Sequence, residues 1–408
     1  MEGGRMGYDQ PGRESADTSS GIPAAVLENV FDDPAHGEPG RDRLAVHVVW
    51  EVLLLAGVAA VGYLFWKADP DALRGDGLRE LLADGVVLGL LAMAAGLSLR
   101  TSGVNLAIGP VAVAAALHMA EQGDRGVVAA IGPAVAVAAL GGLVLALVVG
   151  VLHVPAWAAS LAAGAAVVGY IERRTAPVLP QGGYDLVQDA PYLFAGFAAV
   201  AVLGGIFGAL RPVRRLVGRF RPVVDPARRR GVLAAVVTGG ALVASTVLAA
   251  LAGSLLGTGD AGPVAPTPGL DWTVLAVGTA LLAGTSAFGR RGGILGALLA
   301  VSLVTLVIAD LRAEGHSVSR WAVGAAALGV GLVVTRLVEA YGRPPAGRAV
   351  PADGPDPDGR ISTGWSVQRA DPIGDWPPSL PTQSVESPGD RWDLPEWDSG
   401  RHWDSGDR

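Results

Sequence analysis

The chain contains no cysteine in 408 residues, which excludes disulfides, thiolate catalysis and cysteine-ligated metal sites. Charge is also scarce. Only 17% of residues are Asp, Glu, Lys or Arg, half are hydrophobic, and mean hydropathy is +0.42. That balance is unusual for a soluble globular chain. The six histidines stand singly at 36, 47, 118, 153, 316 and 402, so they form no metal-binding cluster, and His118 reads as a packed residue. No G-x-x-x-x-G-K-[ST] loop, H-E-x-x-H or G-x-S-x-G occurs. The chain therefore reads as a non-enzyme with no cofactor and no metal.

What the sequence does have is apolar length. Ten segments, at about 46–66, 81–99, 104–120, 127–150, 154–171, 191–210, 231–256, 272–288, 291–309 and 321–338, approach the length of a bilayer crossing. A segment of ~17–25 apolar residues matches a hydrocarbon core ~30 Å thick. In lipid such segments must be helical, because no water satisfies the backbone. The expected fold is an all-α polytopic membrane protein. A disordered N-terminal tail (1–43), a transmembrane domain (44–343) and a disordered acidic tail with Pro and Trp (344–408) are expected in that order. The third segment is short, and the fifth begins at Val154-Pro155, only a few residues after the fourth. Either is a candidate for a broken or re-entrant element. Gly141-Gly142, Gly239-Gly240 and Gly292-Gly293 suit close helix packing in lipid.

The formal charge of −7 is segregated: the tails together carry −11 and residues 44–343 about +4. Nothing in that pattern suggests nucleic-acid binding. Arg211, Arg214, Arg215, Arg219, Arg221, Arg228, Arg229 and Arg230 fall between the sixth and seventh segments. Basic short loops face the cytoplasm, so this connector, the turn at Arg290-Arg291 and both tails are placed there. The 258–271 connector has no Lys or Arg and falls outside, whereas 67–80, with Lys67, Arg74 and Arg79, runs against the rule. The expected location is the cell membrane, multi-pass, with no secretory signal peptide. In the C-terminal tail Trp397-Asp398-Ser399-Gly400 recurs at Trp403-Asp404-Ser405-Gly406, either as a docking motif or as part of a quiet tail.

Ionisable residues inside the segments are few: Glu51 in the first and Asp84 in the second. Both lie within two turns of a boundary, where snorkelling to the interface is the simplest reading. A self-powered carrier usually needs several buried carboxylates or an unwound ion site. Energy is therefore expected from elsewhere.

Three stretches resemble the permease subunit of ATP-binding-cassette importers, in the family serving ribose, other simple sugars and branched-chain amino acids. They are Ser102-Gly103-Val104-Asn105-Leu106-Ala107-Ile108-Gly109-Pro110, Val154-Pro155-Ala156-Trp157-Ala158-Ala159-Ser160-Leu161, and Gly284-Thr285-Ser286-Ala287-Phe288-Gly289-Arg290-Arg291-Gly292-Gly293-Ile294-Leu295-Gly296. They are similar to the family's G-[IV]-[DN]-L-S-[VI]-G, V-P-x-[FL]-[IV]-[AV]-T-L and G-T-S-x-x-G-G-R-G-x-[VI]-x-G. The resemblance covers about residues 80–335. It implies a ten-helix permease paired with a second copy or paralogue, ABC ATPase subunits, an extracytoplasmic solute-binding protein and surrounding lipid. It also implies a solute path beside Ser102, Gly103, Asn105, Gly109, Pro155, Trp157 and Ser160. Arg219, Arg221, Arg228, Arg229 and Arg230 would then contact the ATPase.

From the residues alone, Asn105 either faces that path or makes an interhelical hydrogen bond, and the arginine run either couples or simply sets topology and attracts anionic lipid. The sequence departs from the family at Ala107, usually serine, at Ser160, usually threonine, and in the Arg219–Arg228 stretch, which lacks the usual polar pattern. Two other readings remain: a secondary carrier, and a permease-like membrane scaffold presenting its tails.

Overall fold

A computed structural model of the chain describes residues 44–210, 213, 232–258, 262–287 and 293–341. Among these residues the protein is all-helical, with one isolated β-bridge. The helices are α1 (Leu44–Ala68), α2 (Gly75–Arg100), α3 (Ile108–Gln122), α4 (Val127–Val151), α5 (Ala156–Ile171), α6 (Leu186–Ala209), α7 (Val232–Leu256), α8 (Leu270–Leu282), α9 (Gly296–Ala313) and α10 (Arg320–Tyr341). A 3₁₀ turn, Gly123–Arg125, joins α3 to α4. Each apolar segment of the sequence has become one helix.

Seven helices are long and apolar enough to cross a membrane: α1, α2, α4, α6, α7, α9 and α10. The chain is a multi-pass membrane protein. The other three, α3, α5 and α8, have 15, 16 and 13 residues. At ~1.5 Å per residue each spans only ~20–24 Å. The sequence marks α3 as short and both α3 and α5 as candidates for a broken or re-entrant element, but it does not mark α8. The helix of the segment foreseen at 272–288 ends at Leu282, and residues 283–287 and 293–295 are non-helical.

α2 and α7 form the centre, with buried faces rich in alanine and glycine. Small residues allow the backbones to close up. A Cβ on Gly142 would lie 2.8 Å from Val243 Cα, and one on Gly253 2.0 Å from the Ala112 carbonyl oxygen. These approaches bind α4 and α3 to α7 by backbone contact, as expected where lipid offers no hydrophobic drive between helices. The mirror arrangement recurs: α3 runs beside α5 and α7, and α8 beside α10 and α2. Likewise α4 packs on α7, and α9 on α2. The segments α2–α5 and α7–α10 thus repeat one packing plan. α1 stands outside it, against α9, with Gly57 and Gly62 meeting Leu303 and Leu306.

Candidate functional site

α2 ends in a Schellman motif. Gly103 N donates to Ser98 O at 3.0 Å, and Ser102 holds the left-handed position with φ 55°. Four residues of non-helical chain, 104–107, then precede α3. The expected third segment began at Val104, but that stretch is loop. It is loop because polar groups intercept its backbone. Ser160 Oγ on α5 accepts from Leu106 N at 3.0 Å and donates to Val104 O at 3.1 Å. Thr273 Oγ1 on α8 accepts from Gly109 N at 3.0 Å and donates to Leu106 O at 3.2 Å. Ser98 Oγ on α2 accepts from Asn105 N at 3.4 Å. Pro110 has no N–H to satisfy in the first turn of α3. These bonds satisfy much of the junction's buried backbone, which away from water needs partners.

Asn105 completes the junction. Its side chain is fully buried; Nδ2 donates to Ser245 Oγ at 3.0 Å, midway along α7, and Oδ1 accepts from Ala107 N at 3.0 Å. Of the two readings open in the sequence, the interhelical hydrogen bond is therefore present in this conformation.

The start of α3 abuts the start of α8. A Cβ on Gly109 would lie 1.8 Å from the Gly269 carbonyl oxygen, and Gly269, with φ 72°, precedes Leu270 as the N-cap of α8. Two helix N-termini, each partially positive, thus meet head to head. Asp271, buried in the first turn of α8, tempers that charge and pairs with Arg320 Nε on α10 at 2.6 Å. The Arg320 guanidinium also lies 4.7 Å from the Trp272 ring centroid.

The structure therefore gathers Ser102, Gly103, Asn105, Gly109 and Ser160 at one junction. Pro155 and Trp157 are exposed on the outer surface of α5, with Trp157 at 57%. Arg219, Arg221, Arg228, Arg229 and Arg230 lie outside the described residues. Sequence reasoning missed Ser98, Ser245 and Thr273. A hydroxyl in an apolar helix is a weak signal alone, and its partner is not visible in sequence.

The two intramembrane acids have partners rather than free carboxylates. Glu51 lies against the start of α9. Its Oε1 accepts from Leu295 N at 2.5 Å and Gly296 N at 3.0 Å, capping α9, while adjacent Trp50 donates from Nε1 to Leu282 O at 2.7 Å. α1 thus holds both ends of the α8–α9 connector. Asp84 pairs with Arg312 at 3.1 Å. α9 extends past the expected boundary at 309 and brings in Asp310, whose Oδ1 is buried without a hydrogen-bond partner.

At the end of the bundle where α3 finishes, Arg174 grips Glu121 with two hydrogen bonds, of 2.6 and 2.8 Å. That carboxylate, with the Tyr170 hydroxyl, holds the guanidinium charged well above its ordinary pKa. Among the described residues no group of three or more His, Cys, Asp or Glu could hold a metal ion.

No family model, curated protein or solved structure matches this chain.

Proposed function

We propose that the chain is the membrane-spanning permease subunit of an ATP-driven importer in the cell membrane, moving a small polar solute such as a sugar. The observation that carries this is the head-to-head meeting of α3 and α8 inside the bundle. Discontinuous helices with buried non-helical backbone mark the site in many transporters, often within repeated halves. Such a break costs several kcal/mol per unsatisfied group, and hydroxyls on three helices, Ser98, Ser160 and Thr273, satisfy part of its backbone. A protein that only needed to anchor its tails has no use for it. The path runs beside Asn105 and Ser160, which become accessible when the two short helices part.

Both termini are cytoplasmic in this reading, and the 211–230 arginines meet the ATPase. ATP hydrolysis belongs to that partner, since the chain has no phosphate loop. A second permease copy and an extracytoplasmic solute-binding protein complete the assembly.

A secondary carrier is the second reading, favoured by the unpartnered oxygen of Asp310. Glu51 and Asp84 argue against it, since each has a structural partner. The test is purification of the full chain from its own membranes, followed by ATP hydrolysis and solute uptake in vesicles. A co-purifying ATPase, lost when Arg228, Arg229 and Arg230 are changed to Glu while insertion persists, is the expected result. Uptake without any ATPase, abolished by Asp310→Asn, would replace this reading with the carrier. Activity in cells that depends only on the tails would indicate a scaffold.

A further inference from the structure

The connector after α5, residues 172–185, and the lead-in to α8, residues 262–269, meet through one residue pair. Val178 N donates to Val264 O at 2.9 Å, and Val264 N to Val178 O at 2.8 Å. Each valine occupies the same local setting: Pro177-Val178-Leu179-Pro180 and Pro263-Val264-Ala265-Pro266. Proline cannot donate to a ladder, so prolines on both sides stop the pairing from spreading. They also fix φ, so each strap moves as a stiff piece. The contact is built to stay at two hydrogen bonds.

The first strap is anchored to the far end of α3. Arg174 holds Glu121, Gln181 N donates to Ala120 O at 2.8 Å, and a Cβ on Gly182 would lie 2.7 Å from Gly123 O. The other strap runs straight into Gly269 and α8. Beneath the pair lies an apolar plug of Val113, Leu117, Ile171 and Trp272, against which both valines pack. Val113 itself adjoins Gly269, since a Cβ there would lie 2.9 Å from Val113 Cγ2.

We propose that Val178 and Val264 form the closing contact of a gate over the α3–α8 junction, shut in this structure. Parting them frees the lead-in to α8 from the strap anchored on α3, and lets the start of α8 move away from Gly109. Segments held by few buried contacts open locally at low free energy. The proposal deepens the transport reading and rests on it.

The test uses the absence of native cysteine. Val113→Cys, in the full chain in vesicles, reports whether the plug is reached by a small water-soluble thiol reagent. Combining it with Val178→Pro and Val264→Pro removes both donors of the bridge. Labelling should then accelerate at least tenfold, with the thermal midpoint of the purified protein held near that of Val113→Cys alone. Equal labelling rates overturn the gate. A lowered midpoint shifts the decision to a second variant, Val178→Cys with Val264→Cys. A residue pair exchanging both backbone bonds has Cα atoms ~5.5 Å apart, within reach of a disulfide. Oxidation should abolish uptake and reduction restore it; uptake unchanged by oxidation overturns the gate. If even the unsubstituted chain shows no uptake, the transport reading fails, and a Val113→Cys labelling rate independent of the bridge decides the gate separately.

Discussion

Glu51 on α1 occupies the space that a side chain on Gly293 would need: a Cβ there would lie 2.1 Å from Glu51 Oε1. The absent side chain lets the carboxylate reach the first N–H groups of α9, Leu295 and Gly296. A negative charge at a helix N-terminus is favourable by about 0.3–1 kcal/mol, more where partly buried. Glu51→Gln keeps one acceptor oxygen and should cost about 1 kcal/mol. Glu51→Ala strands two donors and should cost at least about twice that. Gly293→Ala should resemble Glu51→Ala, because it expels the carboxylate. Heat-induced loss of the monodisperse purified protein ranks the three. If Glu51→Gln is as damaging as Glu51→Ala, the cap is not what Glu51 provides.

Gly109 and Gly269 make the sharper case. Gly109→Ala would bring a methyl group to 1.8 Å from a backbone oxygen, whereas Gly132 and Gly141 on α4 face open space. Overpacking typically costs about 1–3 kcal/mol, and here no flexible side chain can yield. Gly269→Ala adds a left-handed φ of 72° to a similar clash. Both variants should lose folded yield and uptake. Gly132→Ala and Gly141→Ala should match the unsubstituted chain. Normal uptake by Gly109→Ala would show that α3 and α8 do not abut as described.

The ten helices were legible because each follows an apolar run, though only seven are long enough to cross a membrane. The break before α3 was only half legible. Thr101-Ser102-Gly103 and Pro110 signal a stop and a start, but Val104 and Leu106 are apolar and extend the hydropathy signal through the loop between them. The backbone of 104–107 is bonded by Ser160 and Thr273, and its Asn105 side chain by Ser245, all brought from helices far away in sequence. The capping contact of Glu51 was not legible for the same reason, since its partners lie 244 and 245 residues away. Gly142 was legible as a packing residue, though not that it meets α7, and Gly109 was read only as a break beside the path, not as the contact with Gly269.

The proposed orientation rests on the arginines and on an even number of crossings, and the chain's lack of cysteine makes it measurable. Thr258 would be a poor reporter on the outer face, because it is buried and donates to Leu255 O. Ser317, exposed between α9 and α10, is suitable. An impermeant thiol reagent on intact cells should label Ser317→Cys but neither Ser19→Cys nor Ser366→Cys. The reverse pattern would invert the protein and move the 211–230 connector away from any cytoplasmic ATPase.

Asn105 bonds Ser245 on α7 through its amide, while its loop sits where α3 meets α8, the site of the proposed path. An unpartnered amide in hydrocarbon costs several kcal/mol, but interhelical hydrogen bonds in membranes average only ~0.6 kcal/mol by double-mutant cycles. Asn105→Ala and Ser245→Ala should therefore each destabilise, and the double variant should show a coupling of about 0.5–1.5 kcal/mol. A residue that only packs loses stability and uptake in proportion. One that also meets the solute loses uptake beyond that. Asn105→Ala should abolish uptake while Ser245→Ala, at similar stability, retains most of it. Equal losses in both, tracking the thermal midpoint, would assign Asn105 to the scaffold and remove it from the path.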